Sequence, residues 1–171
     1  ASIASGISKA RNLLISEDVL AAINIIKKFG IKVIQKKGFF IIFGKGIDGY
    51  NFRKNTVINA GNSATLGRLI LGLIINSTKT IKLVGDKSLS RRDFKRVASP
   101  LSKFGAKFKL KKNFSLPLTI KGTKNIKSIK YHETRGSAQC KSAVMLAAMR
   151  ANETTYIKAK KSRDHTEKMM R

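Results

Sequence analysis

The chain repeats itself. "EDVLAAINIIKKFGIKV" (Glu17 to Val33) and "RDFKRVASPLSKFGAKF" (Arg92 to Phe108) share an aspartate, Asp18 or Asp93, a Lys-Phe-Gly at 28–30 or 103–105, and a strand-like tail. Phe104 follows Phe29 by 75 positions. A second pair, "SATLGRLILGLIINSTKTIKLVG" from Ser63 and "SAQCKSAVMLAAMRANETTYIKA" from Ser137, lies 74 positions apart. In each, apolar residues at helical spacing give way to a short β-branched run, the alternation of an α/β domain. Self-similarity at a fixed period constrains architecture strongly, because each copy must bury its apolar face against the others.

The expected unit is a helix, a strand, a second helix and then one or two strands. Approximate units are 1–60, 61–134 and 135–171, within one incomplete domain spanning 1–171. On this pattern Ala1–Gly6 stands where the end of a first helix is expected, and the segment after Asp164 stops before its own Phe-Gly. The chain therefore reads as the interior of a longer protein, interrupted inside a unit at both ends.

Composition narrows the function classes. With 171 residues, 42% of them hydrophobic, the chain can bury one sizeable core. Its longest apolar run, Leu69 to Ile75, is far shorter than the roughly 20 residues of a membrane span, so no membrane role is expected. Cys140 is the only cysteine, which excludes an internal disulfide and a cysteine-based zinc site and suits a reducing, cytoplasmic setting. The formal charge of +27 suggests an anionic partner, although a general lysine bias of the source organism explains the excess as well. The cations are dispersed as Lys27-Lys28, Lys36-Lys37, Lys111-Lys112 and Lys160-Lys161, and no aromatic-rich stacking strand is evident, so nucleic acid is not expected.

Three turns carry small and polar residues at or before helix starts: "AGNSATLGR" (Ala60 to Arg68), "GDKSLSRR" (Gly85 to Arg92) and "RGSAQCKS" (Arg135 to Ser142). Unpaired N–H groups and the positive dipole end make such turns anion sites, and related turns in a repeat are expected at one end of the domain. Ser63 and Ser137 read equally well as ordinary N-caps. Arg68, inside an apolar helix, reads as a snorkelling or ion-paired structural cation, and Cys140 as packing. His132 and His165 lack a partner at metal-ligand spacing, so no metal is expected. Glu17, Asp164 and Glu167 at helix starts read as charges favourable to the dipole.

"SRDHTEKMM" (Ser162 to Met170), "GSAQCKSAVMLAA" (Gly136 to Ala148), "GNSATLGRLILGLI" (Gly61 to Ile74) and "LPLTIKG" (Leu116 to Gly122) occur in order and at spacing. In these motifs, and over essentially its whole length, the chain resembles the 5-enolpyruvylshikimate-3-phosphate synthases. "GDKSLSRR" matches the N-terminal substrate motif of that family letter by letter, yet its continuation, "DFKRVASPLSKFG", is similar to a later motif in which Arg92 takes the place of an arginine that holds phosphoenolpyruvate. Asp93 stands where the family usually has proline.

The resemblance implies an α/β fold of pseudo-threefold, βαβαββ-type units around buried helices, one of two domains in the inside-out α/β barrel of the enolpyruvyl transferases. It implies transfer of the enolpyruvyl group of phosphoenolpyruvate to the 5-hydroxyl of shikimate 3-phosphate, without a cofactor, by a protein that is monomeric when complete. Carried over by position, Ala64, Arg92 and Gln139 contact phosphoenolpyruvate, and Ser137, Ala138, Gln139 and Arg163 contact shikimate 3-phosphate. Acid and base groups are expected outside this chain, which alone is expected to lack turnover. Ala64 replaces the glycine of glyphosate-sensitive members, which implies tolerance. The rivals are the sister transferase acting on UDP-N-acetylglucosamine and a basic nucleic-acid-binding protein.

Overall fold

The computed structural model describes residues 1–170. The repeated Lys-Phe-Gly ends two helices in the same way. In α1 (Glu17–Lys28), Ser16 caps the start by accepting from the Val19 amide at 3.4 Å, acids fill the first turn and lysines the last, as the macrodipole favours. Phe29 then buries completely and Gly30 takes a φ of 83°, the left-handed stop that a side chain resists. At the end of α3 (Lys95–Lys103), Phe104 buries completely and Gly105 has a φ of 107°.

Strand pairing shows the unit in full between 56 and 121. Here β4 (Thr56–Asn59), β5 (Thr80–Val84), β6 (Lys107–Lys109) and β7 (Leu118–Lys121) form one sheet in the order β4-β5-β7-β6. Helix α2 (Ala64–Leu73) crosses between the parallel pair β4 and β5, and α3 follows β5. Upstream, β1 (Ser5–Arg11), β2 (Lys32–Lys36) and β3 (Phe39–Lys45) are ordered β1-β3-β2, which repeats β5-β7-β6. Downstream, β8 (Lys130–Glu133) and β9 (Tyr156–Ala159) repeat the parallel pair, with α4 (Ala138–Ala148) between them and α5 (His165–Met170) after.

Two sequence expectations change. The hydrogen-bonded unit opens on a strand rather than a helix, because β4 and β8 pair in parallel with the strands that follow α2 and α4. Ala1–Gly6 is not a helix end: Ser5 and Gly6 already lie in β1, opposite Lys45 and Gly44. With Ile3 as its single long aliphatic side chain, this short stretch has too few apolar positions to set a period, and Ser5 and Gly6 take their structure from the β3 partner.

The core lies around α2 and α4. Ile70 and Leu71 from the first, Ile74 and Ile75 in the turn that ends it, and Ala143, Val144 and Ala147 from the second are at most 1% exposed. Thr65 meets Gln139 near both N-termini, and further along Gly72 meets Ala143, so the helices run in parallel. Their backbones touch at Gly72, where an added Cβ would sit 2.2 Å from the Ala143 carbonyl oxygen. Overpacking of this kind typically costs ~1–3 kcal/mol and a methyl against backbone has no side chain to displace. Gly72→Ala is therefore expected to lose about 1 kcal/mol net of its helix-propensity gain of ~1 kcal/mol. A urea midpoint equal to that of the unsubstituted protein would contradict this approach of α2 to α4.

Candidate functional site

Because α2 and α4 are parallel, their N-terminal turns share one end of the domain. Ser63 caps α2, accepting from the Leu66 amide at 3.2 Å, and Ser137 caps α4, accepting from the Cys140 amide at 3.3 Å. Both serines are thus helix caps, as one of the two sequence readings had it. Capping uses the oxygen as acceptor and leaves each hydroxyl proton to donate elsewhere.

The third turn joins them. The Asp86 amide donates to the Gly61 carbonyl at 2.9 Å, and the Asp86 carboxylate accepts from the Asn62 side chain at 2.7 Å and from the Leu89 amide at 2.7 Å. "GDKSLSRR" is therefore folded by its aspartate into a short 3-10 turn (Leu89–Arg91) laid against the start of α2. Arg92 leaves that turn extended and exposed, its amide held by the Leu89 carbonyl at 3.1 Å. Asp93 turns its carboxylate onto the start of α3, where it accepts from the Lys95 amide at 2.6 Å. Asp93 thus constrains the loop by a side-chain hydrogen bond.

Arg68 ties the parts together, and its position alters the sequence reading of it. It neither snorkels nor pairs with an acid. Its guanidinium donates to Gln139 Oε1 at 2.5 Å and to the Asp93 carbonyl at 3.4 Å, and its Cζ lies 5.5 Å from the centre of the Phe94 ring. Burial holds this guanidinium below its usual range, and the nearby Arg96 and Arg92 charges add to the effect against an opposing pull from Asp93. Gln139 Nε2 donates to Thr65 Oγ1 at 2.8 Å, so both ends of the Gln139 amide are engaged. Ala64, the first residue of α2, is half-buried and packs partly against the core.

Behind Ser137 the support is polar and buried. Glu133, 5% exposed, accepts from the Ser137 amide at 2.8 Å and the Arg135 amide at 3.2 Å, which fixes the turn into α4. Arg163, His165 and Thr166 line a small depression with Thr65, Ala138 and Gln139, which brings the 160–166 segment beside the α4 N-terminus. Arg163 is exposed, and its carbonyl accepts from Lys141 Nζ at 3.2 Å. The buried Lys141 ammonium pairs with Glu167 and holds that carboxyl below its usual range. Glu167 is thus an ion-pair partner as well as a helix-start charge. Ser142 and Thr166 hydroxyls meet at 2.6 Å, and the Ser162 hydroxyl is buried without a partner among the described residues. His132 and His165 are both exposed, and Cys140, 2% exposed, packs in the core.

The residues that the resemblance matches to substrate contacts, Ala64, Arg92, Ser137, Ala138, Gln139 and Arg163, therefore lie around one end of α2 and α4. The family model for EPSP synthase (3-phosphoshikimate 1-carboxyvinyltransferase) matches residues 1–171. The chain belongs to the EPSP synthase family. A 3-phosphoshikimate 1-carboxyvinyltransferase from Petrotoga mobilis is 42% identical, with 99% of this chain aligned to 40% of that protein. One from Sulfurihydrogenibium sp. is 40% identical, covering 99% of this chain and 39% of its own length. A solved EPSP synthase from Acinetobacter baumannii superposes with a TM-score of 0.91 at 32% identity, over 98% of this chain and 38% of that one. The inside-out α/β fold is thus shared, and the chain spans about two-fifths of the length of these relatives. No helix among the described residues is long and apolar enough to cross a membrane.

Proposed function

We propose that the complete protein containing this chain transfers the enolpyruvyl group of phosphoenolpyruvate to the 5-hydroxyl of shikimate 3-phosphate, forming a new C–O bond and releasing phosphate. One observation carries the reading: the Gln139 amide, held by Arg68 and Thr65, stands between the Ser137 cap and the Arg92 loop. That places a neutral donor and acceptor between two anion-attracting features, as two anionic substrates in contact require. Arg92 binds phosphoenolpyruvate by charge-assisted hydrogen bonds, with Ala64 at the neighbouring backbone. Ser137, Ala138 and Arg163 bind shikimate 3-phosphate, where the free hydroxyl proton of Ser137 and the α4 N-terminus both meet its phosphate. No cofactor enters, and the acid and base groups belong to the remainder of the protein, a cytoplasmic monomer on this reading. Phosphate release by the full-length protein with both substrates, and none with either alone, tests it.

Ser137→Ala removes one hydrogen bond to a charged ligand and the α4 cap. Binding of shikimate 3-phosphate is expected to weaken by about 1–2 kcal/mol, or roughly tenfold, with phosphoenolpyruvate affected much less. Titration calorimetry showing equal losses for the two ligands would remove Ser137 from the phosphate.

Ala64 bears on an inhibitor. Its methyl group adds bulk at the α2 N-terminus beside the phosphoenolpyruvate position, where a longer competitor is crowded before the substrate is. Ala64→Gly is expected to lower the glyphosate concentration for half-inhibition at least tenfold with little change in the phosphoenolpyruvate KM. An unchanged inhibition curve would show that the methyl group faces only the core.

A further inference from the structure

The outer face of the β1-β3-β2 sheet carries a row of side chains that periodicity alone does not reveal. Alternation along β3 points Phe40 and Ile42 inward and Phe39, Ile41, Phe43 and Lys45 outward. Register then sets cations around the aromatic row. Phe39 lies between Arg11 and Lys36, Ile41 between Lys9 and Ile34, and Phe43 between Ile7 and Lys32. Lys32 Nζ is 5.2 Å from the centre of the Phe43 ring. The five cations of the face, Lys9, Arg11, Lys32, Lys36 and Lys45, are all exposed, and the phenylalanines are half-buried. No acidic residue occurs in 1–16 or in 31–47, the segments that build this sheet.

Against the expectation from the dispersed cations of the sequence, which the strand register gathers here, we propose that this face binds single-stranded nucleic acid, with bases stacked on Phe39 and Phe43 and phosphates held by the flanking cations. Three features favour this occupant. The excess of cations without any acid selects a polyanion, and part of the +27 charge of the chain is concentrated here. Two rings on one strand, four residues and so about 13 Å apart, offer separate platforms to unstacked bases about two nucleotides apart on an extended strand, whereas a duplex keeps its base faces hidden. The rings are half-buried among the flanking side chains rather than projecting, which suits stacking and not insertion into a bilayer. At the Phe39 end of the sheet a depression lined by Asn12, Lys36, Lys37, Phe39 and the inward-facing Phe40 adds Lys37 to the cations near the aromatic row. This surface lies apart from α2 and α4 and does not depend on the enzymatic reading.

Fluorescence anisotropy of labelled oligo(dT) and oligo(rA) with the full-length protein tests the proposal, with duplex DNA, heparin and phosphatidylglycerol vesicles as comparisons. Single strands are expected to bind at 100 mM salt more tightly than duplex or heparin, and affinity is expected to fall steeply as salt rises. Replacing both phenylalanines (Phe39→Leu with Phe43→Leu) keeps the apolar area and is expected to weaken binding at least tenfold. Lys32→Gln with Lys36→Gln, at exposed positions that do not threaten the fold, should flatten the salt dependence. Equal binding by the leucine variant, equal or tighter binding of duplex, heparin or vesicles, or no binding at all would each overturn the proposal.

Discussion

Arg68→Ala in the full-length protein is expected to cut kcat/KM for phosphoenolpyruvate by about a hundredfold while leaving a folded protein. The loss follows from what the guanidinium holds. Its 2.5 Å bond fixes the Gln139 carbonyl oxygen, and its 3.4 Å contact reaches the Asp93 carbonyl, one residue beyond Arg92. Hydrogen bonds to charged groups contribute about 1.5–3 kcal/mol each, and the longer contact counts for less. Without Arg68, Gln139 Oε1 loses its partner and the amide is free to rotate away from the substrates, so a KM effect should come with a kcat effect.

Arg68→Lys tests the geometry, since an ammonium keeps the charge but cannot form the planar fork that reaches two acceptors and covers Phe94. It is expected to recover less than a tenth of the lost activity. Steady-state kinetics for both substrates, with thermal unfolding as control, decide the matter. An alanine variant with kinetics unchanged, or a lysine variant restored to full activity, would show that Arg68 contributes charge or packing only.

The repeat was legible because its signals are local. Lys-Phe-Gly at 28–30 and 103–105 records a buried phenylalanine and a left-handed glycine, which any short window displays. The turns at Ser63 and Ser137 were legible for the same reason, since a cap acts over three residues. What escaped depends on partners distant in the chain. Arg68 and Gln139 lie 71 residues apart, and nothing near Arg68 distinguishes an amide partner from an ion pair. Glu133 carries no local mark of its role, which arises only when the turn folds the Arg135 and Ser137 amides onto the carboxylate. Ser5 and Gly6 adopt β structure because β3 lies alongside. The row of Phe39 and Phe43 needed the register of two neighbouring strands to gain its cations.

Arg92→Ala is expected to weaken phosphoenolpyruvate binding about a hundredfold and shikimate 3-phosphate binding by less than about threefold. Arg92 leaves its turn extended, with its backbone anchored by the Leu89 carbonyl and the turn itself stapled by Asp86. Its side chain makes no hydrogen bond to any described residue, so the fork is free for a ligand. The neighbouring Asp93 carboxylate is occupied at the Lys95 amide and does not pair with it. A bidentate guanidinium–anion contact supplies roughly twice the strength of a neutral hydrogen bond, and its removal leaves the ligand charge without that partner. Arg91→Ala supplies the control, because it removes the same charge from the same turn one residue earlier. If the general positive field were responsible, the two variants would weaken phosphoenolpyruvate alike. A specific contact predicts a loss at Arg92 at least tenfold larger than at Arg91, measured by ligand-induced fluorescence or calorimetry in the presence of shikimate 3-phosphate. Equal losses in the two variants would leave Arg92 as one charge among many and remove it from the phosphoenolpyruvate site.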